Sequence, residues 1–90
     1  MSSDLRREIE VPPYAVVVNA QEEWRPRTQQ VIVLEGYRAT AIIMRLDGNP
    51  VSGAAAAYRI GVGDIFGDLQ AALKDCEQRA RDAIKERFPS

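Results

Sequence analysis

Past Asp64 the apolar residues change their spacing, and that change constrains the fold more than any other feature of the chain. Ile65, Leu69, Leu73, Cys76, Ala80, Ile84 and Phe88 fall three or four apart, the period of one helix face. Before Asp64 the apolar stretches are instead short and β-branched, as in Tyr14-Ala-Val-Val-Val-Asn19 and Val31-Ile-Val-Leu34, which suits a pleated surface. The chain therefore reads as α+β: an antiparallel meander sheet of three or four strands over residues 14–60, packed on one long amphipathic helix over residues 64–88. Residues 1–12 are expected to form a short N-terminal helical turn or a frayed end, closed by Pro12 and Pro13.

Ninety residues suffice for one domain, residues 1–90, with a single sheet-plus-helix core and no deep two-lobed cleft. His is absent and Cys occurs once, which removes Ser-His-Asp and Cys-His nucleophile arrangements and nearly all zinc chemistry. Lys and Arg number 12 against 13 Asp and Glu, a net charge of −1, so bulk attraction to nucleic acid or anionic lipid is weak. The polar first ten residues lack the apolar run of a secretory leader, and no stretch has the roughly 18 apolar residues of a membrane span. A cytoplasmic protein with no membrane partner is the expectation.

Turn chemistry divides the strand region. Asp47-Gly-Asn-Pro50 is the strongest turn signal, because Gly and Asn tolerate positive φ and Pro cannot donate to a ladder. Residues 20–30, polar and carrying Pro26, read as a long hairpin loop. Gly36 is either a second tight turn or a bulge, with the turn preferred. Residues 54–60 read as the last strand, and its four leading alanines, poor strand formers, mark a place of close packing against the helix.

Each chemical motif has a plain structural reading beside it. The loop Gly61-Val-Gly-Asp-Ile-Phe-Gly67 sits where phosphate-binding loops sit, but Asp64 and Asp68 put negative charge where a pyrophosphate would lie. Asp64 as a helix N-cap is the simpler reading. Two carboxylates alone make a weak cation site, Cys76 lies on the apolar stripe, and no acid has a partner that would tune it for catalysis. No catalytic, cofactor or metal residue is assigned, and a non-enzymatic protein is expected. Trp24, with Arg25 and Arg27 beside it, could stack a base or grip a phosphate, although a solitary Trp more often anchors a core edge.

The run Tyr37-Arg-Ala-Thr-Ala-Ile-Ile-Met-Arg-Leu-Asp-Gly48, followed by a short strand and an Ala/Arg-rich helix, resembles small proteobacterial domains of unknown function. The resemblance implies a β-β-β-α layout and no activity. The element order also resembles a double-stranded RNA-binding domain, whose basic cluster at the start of the last helix is replaced here by Asp64 and Asp68.

One helix covers one sheet face, so the second face must be polar, be covered by the Trp24 loop, or bind a partner. Ile43, Ala39 and Ala41 are expected to leave apolar area there. The reading is a protein-interaction or homodimerisation module using the helix-free sheet face, with Trp24, Arg25, Arg27, Tyr37, Arg38 and Arg45 as partner-binding residues. The alternative is weak nucleic-acid binding through the Trp24 loop and the sheet arginines.

Overall fold

The computed structural model describes residues 5–51, 55–61 and 63–86. Strands β1 (Arg6–Val11), β2 (Tyr14–Pro26), β3 (Ile32–Arg45) and β4 (Tyr58–Ile60) precede one helix, α1 (Leu69–Lys85). They form one antiparallel sheet in the order β1-β2-β3-β4, so the α+β meander expected from the sequence is the fold.

The register shows why α1 takes one face. Val16, Val18 and Ala20 on β2 lie opposite Ile43, Ala41 and Ala39 on β3. All six are buried, together with Ala72, Leu73, Cys76 and Ala80 of α1. Alanines on both layers let the helix lie close to the sheet, while Ile43, Leu73 and the two valines fill the remaining volume. Burial pushes the Cys76 thiol up from its ordinary range, so it is a core residue and not an activated thiolate. A maleimide reagent is expected to leave Cys76 unmodified in the folded chain and to label it in urea; fast labelling without denaturant would contradict this packing.

The ends of the chain differ from the sequence expectation in three places. Residues 6–11 are a strand, not a helical turn, because Arg7, Ile9 and Val11 alternate with exposed Arg6, Glu8 and Glu10 and bring an apolar edge to the core. The helix starts at Leu69 rather than Asp64. Its N-cap is Asp68, whose carboxylate accepts from the Ala71 N–H at 2.9 Å. Ile65 and Phe66 belong to a preceding extended segment in which Tyr37 and Phe66 exchange backbone hydrogen bonds of 2.7 and 2.8 Å. Phe88 and residues 52–54 lie outside the described residues.

The polar stretch read as a loop is also strand. β2 and β3 continue as a two-stranded arm to the Pro26–Ile32 pair, beyond the reach of β1, whose pairing ends at Asn19. Backbone pairing tolerates polar side chains where both faces meet solvent, which is why composition there reads as a loop. Pro26 fits for a directional reason. Ala20 donates its N–H toward Leu5, on the β1 side, while Arg27 donates to Val31, so the even-numbered N–H groups of β2 point to the outer edge. At Pro26 that group is missing, and the free edge of the arm is blunted where another strand would otherwise pair.

Gly36 is a bulge and not a turn. Glu23 pairs with Gly36 and Trp24 with Leu34, leaving Glu35 as the extra residue. Asp47 and Gly48 do form the expected turn, with Gly48 at φ +82° and the Asn49 N–H donating to Asp47.

β1 is tied to the helix by charge as well as by packing. Arg7 donates to Glu77 at 2.9 Å and to Gln70 at 2.8 Å, and Arg81 donates to Glu77 at 3.0 Å. Burial alone would raise the Glu77 carboxyl, but the hydrogen bonds and charges of Arg7 and Arg81 outweigh it and hold the group below its ordinary value. The folded state therefore binds that proton less readily than the unfolded chain. Its contribution to stability is full above the ordinary glutamate range of about 4.3 and is lost as pH falls through the lowered value. Urea midpoints of wild type and Glu77→Gln should differ at neutral pH and converge in acid; a gap that widened in acid would refute the pairing.

Candidate interaction face

The face of the sheet away from α1 is built by the odd-numbered residues of β2 and β4 and the even-numbered residues of β1 and β3. The pairing arranges them in rows across the strands. Glu10, Ala15 and Met44 form one row; Glu8, Val17, Ile42 and Arg59 form the next; Arg6, Asn19 and Thr40 the third; Gln21 and Arg38 the last. Ala15, Val17 and Ile42 are half-buried by their neighbours alone, and Met44 is exposed. The centre of the face is thus aliphatic, with Glu8, Glu10 and Arg6 on the β1 side and Arg59 on the β4 side. Open hollows flank the central pair, one lined by Glu8, Glu10 and Val17 and the other by Thr40, Ile42 and Arg59.

This face differs in composition from the one expected. Ile43, Ala39 and Ala41 are under the helix, and Ile43 has no exposed surface. The alternation along β3 was readable, but which parity faces α1 depends on the facing residues of β2, and these put Val16 and Val18 opposite Ile43 and Ala41. Val17 and Ile42, the actual centre, are flanked in sequence by residues just as apolar. Glu8 and Arg59 come from strands whose register no local pattern reveals, although the alternation Glu8-Ile9-Glu10-Val11 is a strand signal in its own right.

The six residues expected to bind a partner are not brought together. Trp24, Arg25 and Arg27 lie on the β2–β3 arm. Trp24 is 54% exposed and donates its indole N–H to Glu22, so it is not the core-edge anchor expected of a solitary Trp; the arm carries it past the helix. Arg25 is paired with Glu35 at 2.9 Å. Tyr37 lies on the helix side, packed against the core. Arg45 shares that parity, makes a two-pronged contact with Asp47 at 2.8 and 3.0 Å, and lies 5.9 Å from the centre of the Tyr14 ring. This pairing holds the Asp47 carboxyl well below the usual carboxylate range and raises the Arg45 guanidinium. Arg38 alone of the six faces the open side; its Nε is buried and has no hydrogen-bond partner among the described residues.

Of the carboxylates considered for chemistry, Asp68 is occupied as a cap and Asp64 stands outside the helix. Among the described residues, no group of three or more Cys, Asp or Glu is placed to hold a metal ion, and no helix is long and apolar enough to cross a membrane.

The architecture is thus a four-stranded antiparallel meander with one helix on one face. No family model matches the chain, and no curated protein or solved structure matches it.

Proposed function

We propose that this is a protein-interaction module that docks its partner on the helix-free sheet face. The observation that carries this reading is the continuous aliphatic centre of that face, Ala15, Val17, Ile42 and Met44, which α1 leaves uncovered on the side opposite the core. An apolar surface ringed by charged residues is the usual anatomy of a docking patch. Chemistry has less support, since Asp68 serves the helix cap and Glu35 and Asp47 are held in ion pairs with Arg25 and Arg45. Nucleic-acid binding also has less support, because Arg25 and Arg45 are paired within the chain and Arg38 lies across the sheet from Tyr37.

The test compares wild type with Ile42→Asp by size-exclusion chromatography, in cell lysate and after purification. Wild type is expected in a species larger than its 10.0 kDa mass, and the variant as a monomer with an unchanged circular dichroism spectrum. Identical elution of the two at every concentration would overturn the reading.

A further inference from the structure

Resting on that reading of the face, we infer that its occupant is a second copy of this chain, related by a two-fold axis that runs along the strands between β2 and β3. The row Glu8–Val17–Ile42–Arg59 crosses all four strands with a carboxylate at one end, two aliphatic residues in the middle and a guanidinium at the other. A two-fold parallel to the strands inverts the order of strands over the facing copy, laying β1 on β4 and β2 on β3. Val17 then meets Ile42 of the other copy, and Glu8 meets Arg59, twice by symmetry.

A two-fold running across the strands would instead lay β1 on β1 and β4 on β4. It would set Glu8 against Glu8 and Arg59 against Arg59, so the charges select the first arrangement. Aligned sheets pack about 10 Å apart at about −30°, which keeps β1 over β4 while long side chains at the rim reach across.

The charges at the two ends are free to do this. Arg59 is exposed and has no ion pair or hydrogen bond among the described residues. Among the described residues Glu8 is held only by Arg6, at 2.8 Å, in a pair with both side chains more than 60% exposed, which contributes little by itself and leaves carboxylate lone pairs open. Of the two flanking rows, Glu10–Ala15–Met44 adds a second acid on the β1 side, while Arg6–Asn19–Thr40 places one base there, so the β1 edge carries two acids to one base.

Charge exchange tests the arrangement, with the dimer dissociation constant read by sedimentation equilibrium. Glu8→Arg and Arg59→Glu each place like charges at both ends of the interface, and each is expected to weaken dimerisation by about tenfold or more. The double variant carrying both changes restores the opposite pairing and should return to within about threefold of wild type. Lys74→Glu on the exposed surface of α1 and Glu86→Arg at its C-cap, the same charge changes away from the sheet face, should leave the constant unchanged. Mixing the two single variants should also produce a heterodimer, which checks the result if the double variant folds poorly.

Single variants that dimerise like wild type, or a folded double variant as weak as the singles, would overturn the strand-parallel dimer. Purified wild type that stayed monomeric at about 1 mM would overturn self-association outright. In that case a lysate assembly still lost on Ile42→Asp would leave the docking reading standing with a different occupant, whereas its absence would remove both.

Discussion

Ile43→Asp is expected to unfold the domain, while Ile42→Asp, one residue away, keeps the fold and loses only the assembly. Ile43 has no exposed surface and sits opposite Val16 in the layer under α1, where the described buried residues include no charged or polar side chain. Burying an unpaired charge there costs several kcal/mol, and the cavity left by the lost aliphatic volume adds to it. A domain of this size has about 5–13 kcal/mol of stability in total, so the two costs together are of the order of the whole margin, and the native population is lost once they reach it. Ile42 points to the opposite side, half-buried against Val17 and Arg59 of neighbouring strands, and a carboxylate there remains in water. Circular dichroism with urea titration separates the two outcomes. Equal destabilisation by both substitutions would mean that the two faces are not distinguished as described.

Gly36→Val is the second large expected effect. A Cβ at Gly36 would stand 2.5 Å from both the Ile65 Cγ2 and the Phe66 carbonyl oxygen. The Ile65 side chain can turn, but the carbonyl cannot, because Phe66 is fixed by its two hydrogen bonds to Tyr37. Any side chain at this position must therefore push away the segment that delivers the chain from the sheet into α1. Overpacking combined with loss of that bridge should cost about 2–3 kcal/mol, a fall in Tm on the order of 10–20 °C. Gly67→Ala, where a Cβ meets nothing within 4 Å, is the matched control and should change Tm little. Amide exchange at Tyr37 and Phe66 should accelerate in the valine variant and stay slow in the control. Unchanged protection in Gly36→Val would show that the contact is not a constraint.

Both predictions turn on contacts between segments far apart in the chain, and these mark the limit of what local pattern conveys. The helix was readable because Leu69, Leu73, Cys76, Ala80 and Ile84 repeat at its own period and need no outside information. Its first turn was not. The apolar Ile65 and Phe66 continue the spacing, yet Phe66 is taken by a backbone bridge to Tyr37, and Asp68 becomes the cap in place of Asp64. In the same way the β2 half of the arm, which carries Trp24, reads as a loop in composition, because a strand with both faces in water need show no apolar alternation, although its partner run Val31-Ile-Val-Leu34 on β3 reads as strand. Gly36 was seen as an interruption of the strand pattern; only the approach of Phe66 decides that the interruption is a bulge.

By itself, the sequence determined an α+β arrangement: one amphipathic helix after a set of antiparallel strands, a reversal at Asp47–Gly48, and no histidine to act in it. These follow from periodicity, turn preferences and composition, all of which act within a few residues of chain. Tertiary structure decided which side of the sheet the helix covers. The parities of β2 and β3 are each apolar enough to serve, and the choice depends on how Val16, Val18, Ala41 and Ile43 stack beneath the alanines of α1. That choice exposes Val17 and Ile42, and pairing with the outer strands brings Glu8 and Arg59 to the two ends of their row. A charge pattern assembled from four strands exists only once their register is set, since the hydrogen-bond ladder, and no local preference, places those residues side by side.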